Sequence, residues 1–227
     1  MATITISRAH GCSGELIAKR LANMLGYELV DREVIKWVAE VANLPEDEVE
    51  KFDEMHMHPV MRFIYSLLHH GGKYADVHWT PSFIRHFVNA LSAEWKTETP
   101  QFSSFDHEAY VELTRQLIER LYDRGNVIIV GRGAMAILRG KEKAFHVRLT
   151  APLQWRVENL ANSLNIPLGQ AKNEIAKHDR RRSLYLRQFY GVDWDDPSLY
   201  HIIINVASVG VERAPHVIAQ AFLRWLR

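Results

Sequence analysis

Two apolar runs of strand character each lead straight into a glycine turn, and this repeat constrains the fold more than any other feature of the chain. The first is Ile4-Thr5-Ile6-Ser7, followed by Arg8-Ala9-His10-Gly11-Cys12-Ser13-Gly14 and then a helical pattern. The second is Val127-Ile128-Ile129-Val130, followed by Gly131-Arg132-Gly133-Ala134. A strand that ends in a glycine turn and opens a helix aims backbone N–H groups at an anion. The first turn therefore reads as a phosphate-binding loop that lacks the usual lysine.

The remaining periodicities fill out an α/β domain. Ser13 to Leu25 carries Leu16/Ile17, Leu21 and Met24/Leu25 at helical spacing, with Gly26 placed to close the helix. A short strand over 27–30 ends at Asp31-Arg32, before a helix over 33–42. From 45 to 106 the pattern changes: Pro45, Pro59, Pro81 and Pro100 interrupt it, and stretches over 60–68 and 83–95 are helical. The α/β alternation then resumes. A helix is expected over 107–124, strands over 126–130 and 144–149 with a glycine turn at Arg139-Gly140 between them, and helices over 152–163 and 167–190. A last strand over 201–206 and a closing helix over 211–226 complete it. The pattern predicts a doubly wound, parallel, five-stranded sheet from residues 1–44 and 107–227, with 45–106 as a helical insertion.

Charge and cysteine content narrow the function classes. With 28 basic and 27 acidic residues, the chain has no excess charge to suggest a nucleic-acid partner. A single cysteine rules out an internal disulfide and fits a cytoplasmic setting. No apolar run has spanning length and the N-terminus does not read as a secretory signal, so no membrane association is expected. The histidines at 56, 58, 69, 70 and 78 lack the spacing with a carboxylate that marks a metal site, and read as surface or packed residues.

The chemistry concentrates at the ends of the strands, where parallel sheets bind ligands. In the G-x-x-x-x-G-K-[S/T] pattern, amides hold phosphate oxygens, the lysine neutralises charge and the hydroxyl holds magnesium. Here Gly14 stands at the lysine position and Glu15 follows. Gly11, Cys12, Ser13 and Gly14 can still form the anion nest, Arg8 is the nearest replacement cation, and Ser13 is the candidate magnesium ligand. The alternative is a tight turn with no ligand. Cys12, near a helix N-terminus, reads as a small residue fitting the loop rather than as a redox switch. Asp31 serves either ligand contact or a helix N-cap, whereas Arg32 reads as a ligand contact. Arg132, flanked by Gly131 and Gly133, is placed to meet a phosphate bidentately, against the alternative of a solvent-facing arginine. The run Lys177 to Arg182, with Arg187 beyond it, is either a phosphate-facing cluster or a solvated helix face.

These residues carry a resemblance. ITISR…G.SG…IAKRLA at the start, VDREVI at 30–35, VIIVGRGA at 127–134, HDRRRSLY at 178–185, W.DPSLYHIIIN and a final V.ERA recur in order. Together they resemble the cytidylate-kinase-like branch of the P-loop nucleoside monophosphate kinases. The resemblance implies transfer of the ATP γ-phosphate, with Mg2+, to a small phosphorylated acceptor, CMP or dCMP first among them. It makes residues 165–195 the lid, with Arg182 the best match to the family's arginine and Arg180 and Arg187 next. Asp31, Arg32, Gly131 and Arg132 would hold the acceptor. Members of this branch commonly lack the loop lysine, but many carry an arginine where Glu15 stands. True cytidylate kinases tend to have an aspartate at the position of Gly133. These departures leave two alternatives open: a nucleotide-sensing or protein-binding module with little turnover, and a kinase of a non-nucleotide metabolite. A homodimer through the helical insertion is a further expectation.

Overall fold

The computed structural model of the protein describes residues 1–30 and 107–227. The candidates Asp31 and Arg32, the helix expected over 33–42 and the insertion over 45–106 lie outside the described residues. Strand β1 (Thr3–Arg8) leads through the first glycine turn into α1 (Gly14–Leu25), and β2 (Glu28–Val30) follows. After residue 106 come α2 (His107–Arg124), β3 (Val127–Val130), a one-turn α3 (Ala134–Ile137) and β4 (Ala144–Thr150). The chain ends with α4 (Leu153–Leu164), α5 (Leu168–Tyr190), β5 (Ile202–Asn205), a short α6 (Val206–Val209) and α7 (Ala214–Trp225).

The five strands form one sheet in the order β2-β3-β1-β4-β5, with every described pairing parallel. This is the doubly wound arrangement that the alternation of strands and helices predicts. The two strands that feed the glycine turns, β1 and β3, are neighbours, with Ile6 opposite Val130. Their turns therefore open side by side at the carboxyl edge of the sheet. The Gly131 N–H even donates to the Ile6 carbonyl at 3.0 Å, which ties the second turn to the first strand.

Alternate residues of a strand face opposite sides. Ile4 and Ile6 of β1 and Phe145, Val147 and Leu149 of β4 are all buried, in one cluster with Ile17 and Leu21 of α1 and Ile218 and Phe222 of α7. The other side of β1 and β4 is buried but polar, with Thr3, Thr5, Ser7, His146 and Arg148 all less than a tenth exposed. Thr5 Oγ1 and His146 Nδ1 stand 2.8 Å apart, across the register that pairs the two residues.

Gly26 caps α1 in the left-handed conformation with φ 66°, as a glycine just past a helix should. The buried stripe of α1 is Ile17, Ala18, Leu21 and Ala22, whereas Leu16 and Met24 are largely exposed. Small alanines let the helix lie close to the sheet, so the stripe runs one residue beyond Leu16. Likewise α7 begins at Ala214, with Pro215 in its first turn, and not at 211. Among the described residues no helix is long and apolar enough to cross a membrane.

Candidate functional site

Arg8 is the last residue of β1 rather than part of the loop, and its side chain explains both glycine turns. A Cβ built on Gly14 would lie 2.7 Å from Arg8 Cγ and 3.0 Å from Arg8 Cβ. One built on Gly131 would overlap Nη1 of the Arg8 guanidinium. The arginine stem thus occupies the space a side chain at Gly14 would need, and its cationic head lies against the second turn. The position where a loop lysine would start is sterically closed, and the cation that closes it bridges the two turns.

The first turn is held from outside by two helices. Asn159 of α4 donates to the Gly11 carbonyl at 2.8 Å and to Ser13 Oγ at 3.0 Å. Arg156 of α4 donates to the His10 carbonyl at 3.1 Å and to Asp179 Oδ2 at 2.5 Å. Asp179 of α5 accepts from the His10 N–H at 2.8 Å, and Arg182 of α5 donates to the Arg8 carbonyl at 3.1 Å. His10 stacks on His178 with ring centroids 4.3 Å apart, and burial first and His178 second push its pKa down to about 3. The loop imidazole is neutral at ordinary pH.

Because the C=O and N–H of a trans peptide point in opposite directions, fixing the His10 carbonyl on Arg156 turns the Gly11 N–H the other way. The N–H groups of Gly11, Ser13, Gly14 and Glu15 make no hydrogen bond to any described residue, the last two because they begin α1. Ser13 reaches this arrangement only by adopting a left-handed φ of 52°, which costs a non-glycine residue on the order of 1 kcal/mol. The outside hydrogen bonds, at about 1 kcal/mol each, outweigh that strain. The result is a set of amides at a helix N-terminus with no partner among the described residues, with Arg8 beside it.

Cys12 turns its thiol into the core at 1 % exposure, and its N–H bonds the Ala9 carbonyl at 3.3 Å. Burial raises its pKa to about 11, so the thiol is inert and fits the packing reading. Ser13 is the loop's only hydroxyl, and so the one side chain of this turn that could touch a magnesium ion. Among the described residues, no group of three His, Cys, Asp or Glu stands together to hold a metal. That donor set fits an ion carried mainly by nucleotide phosphates and water.

In the second turn Gly131, Arg132 and Gly133 are all left-handed, with φ of 80°, 56° and 71°. Arg132 is held between two glycines in a conformation that costs it about 1–2 kcal/mol, a strain of the sort that collects at functional sites. Gly133 is buried beneath Tyr190 at the end of α5: its Cβ position lies 2.7 Å from Tyr190 Cε2. The Tyr190 hydroxyl stands 3.3 Å from that of Tyr185. Of the basic run, Arg182 reaches the first turn, whereas Arg180 and Arg187 are exposed on α5. The structure therefore brings Arg8 and Arg182 to the loop and leaves Arg180 and Arg187 in solvent.

Sequence reasoning missed Arg156, Asn159 and Asp179, which hold the loop. It also left the W.DPSLY segment without a role. Trp194 Nε1 donates to Ser7 Oγ at 2.8 Å, and Arg148 donates to the same hydroxyl at 3.2 Å and to Asp195 at 2.7 Å. The Arg148 guanidinium lies over the Trp194 ring at 3.7 Å, and Tyr200 donates to the Trp194 carbonyl at 2.8 Å. This segment braces the end of β1 one residue before Arg8.

Comparison with known proteins places these features. A cytidylate kinase of Desulfurococcus amylolyticus is 32% identical over 110 residues, 48% of this chain and 58% of that one. A cytidylate kinase of Staphylothermus marinus is 26% identical over 117 residues, 52% of this chain and 65% of its own length. The chain thus spans about six-tenths of the length of these relatives. A crystal structure of an uncharacterized protein from Eubacterium ventriosum shares the fold, with a TM-score of 0.61 at 19% identity over 98% of each chain. The sequence matches the profile of the cytidylate kinase-like family over residues 3–208. That match takes in both glycine turns, Arg8, α4 and α5, and the chain belongs to the cytidylate kinase-like family.

Proposed function

We propose that the protein transfers the γ-phosphate of ATP, with Mg2+, to a nucleoside monophosphate, CMP or dCMP. The observation that carries this reading is Arg8, which spans from the amide-lined first turn to the arginine-bearing second turn. Phosphoryl transfer asks for positioning and charge more than for covalent help. The amides of Gly11, Ser13, Gly14 and Glu15 bind donor phosphate oxygens. Arg132 takes the acceptor phosphate, in the region to which Asp31 and Arg32 are also assigned. Arg8 lies between the two, where charge develops on the transferred group, and Arg182 adds to it from α5. Mg2+ would neutralise phosphate charge when bound with ATP, with Ser13 as its one protein ligand from the loop.

Steady-state transfer from ATP with magnesium to a panel of monophosphates tests the assignment. CMP or dCMP should turn over, and Arg132→Ala should raise the acceptor KM at least about tenfold, as expected for loss of a charge-assisted pair. A second reading is favoured by one observation: Gly14 excludes a lysine, while exposed Glu15 brings a carboxylate to the same helix start. On that reading the protein binds nucleotide with little turnover. ATP binding without transfer to any monophosphate would select it, or a kinase of another phosphorylated metabolite.

A further inference from the structure

We propose that Asp179 is a positioning residue for the donor phosphates, acting through the backbone of the first turn rather than by touching the nucleotide. This rests on the reading of that turn as the donor site. Asp179 and Arg156 close around a single residue: the carboxylate accepts the His10 N–H, the guanidinium donates to the His10 carbonyl, and the two side chains pair with each other. Their side chains are 21% and 13% exposed, so the pair is largely withdrawn from solvent and its geometry is not that of a loose surface contact. Together they fix the two peptide planes on either side of His10.

A carboxylate bonded to a phosphate loop could instead be a plug that a nucleotide must displace. The hydrogen bonds decide between the two. Asp179 takes the His10 N–H, and the amides of Gly11, Ser13, Gly14 and Glu15 have no partner among the described residues. It occupies none of the groups that would meet phosphate, and through Arg156 it helps turn one of them, Gly11, into place. The same helix holds the Arg8 carbonyl through Arg182. So α5 sets both the loop and the arginine beside it.

The experiment uses the full chain with Asp179→Ala and Asp179→Asn. Binding of ATP with magnesium is measured calorimetrically without acceptor, and hydrogen exchange of the 8–15 segment without nucleotide. Loss of the charge-assisted bond to the loop should weaken ATP binding about tenfold in the alanine variant and speed exchange in 8–15. Asparagine keeps an oxygen for the His10 N–H and should stay within about threefold of the native affinity, with acceptor KM changed less than about twofold in either variant. Tighter ATP binding by Asp179→Ala would overturn the proposal in favour of a plug. Native exchange in that variant would also overturn it, since the loop would not depend on Asp179. A native protein that bound no ATP would instead refute the donor-site reading, and the exchange result would still separate that failure from this one.

Discussion

Adding one carbon at Gly14 is the sharpest probe of the claim that Arg8 has taken the lysine's place. In Gly14→Ala the new Cβ would stand 2.7 Å from Arg8 Cγ, 3.0 Å from its Cβ and 3.5 Å from its Cδ. Carbon atoms prefer separations of about 3.5–4.0 Å, so the stem must move, and its head cannot follow freely because it lies against Gly131. Overpacking of this kind costs about 2 kcal/mol. Gly14 has an ordinary helical φ, and replacing glycine by alanine in a helix returns at most about 1 kcal/mol. The net loss is therefore about 1 kcal/mol, a fall in Tm of roughly 2–4 °C for a chain of this size. In an Arg8→Gly background both the Cγ and the Cβ contacts are gone, and the same substitution should be neutral or stabilising. Thermal unfolding of the four proteins gives the coupling directly, expected at about 2 kcal/mol. Additivity within about 0.5 kcal/mol would refute the argument. The functional counterpart follows from the same geometry. Gly14→Lys alone should not improve transfer, whereas Arg8→Ala with Gly14→Lys should outperform Arg8→Ala alone in kcat/KM.

Other parts of the site make separate predictions. Asn159→Ala removes donors to the Gly11 carbonyl and Ser13 Oγ, and should cost about 1–2 kcal/mol in denaturant unfolding with a raised KM for ATP. Arg148→Met should destabilise by about 1–3 kcal/mol, since the guanidinium stacks on Trp194 and serves Ser7. Asp195→Ala, on a carboxylate 79% exposed, should cost less than about 1 kcal/mol in the same assay. Burial first and His201 second hold the His146 pKa down from 6.5 to about 4. The unfolded chain takes up this proton near 6.5 and the native state only near 4, so stability present above pH 6.5 is lost as pH falls toward 4. The loss attributable to this group is at most about 3 kcal/mol, and His146→Gln should flatten that part of the pH–stability curve.

The sheet was legible because its strands are short apolar runs, two of them ending directly in or just before glycine turns, signals carried within a few residues. The two turns were legible for the same reason. The support of the loop was not, because it joins residues far apart in sequence: His10 to Asp179, Gly11 to Asn159, Ser7 to Trp194. Nothing local distinguishes Arg156 from any arginine on an amphipathic helix. Asp179 stood in plain view within HDRRRSLY, but the basic residues around it drew the reading toward charge and away from hydrogen bonding. Polar Thr3, Thr5 and Ser7 reduced the apolar signal of β1, yet their burial shows that alternation in that strand separates two kinds of interior rather than interior from solvent.

Helix α5 touches one turn at Asp179 and the other at Tyr190, eleven positions later by sequence numbering. At 1.5 Å per residue that span is about 16 Å along the axis. The helix is thus a gauge of its own two contacts: its residue count fixes how far apart Asp179 and Tyr190 stand, while the neighbouring strands β1 and β3 set the spacing of the turns themselves. Inserting a single residue between these positions would lengthen the gauge only slightly but rotate one end by about 100° against the other. One of the two contacts would be lost, so the spacing from Asp179 to Tyr190 is as much a part of the site as the side chains themselves.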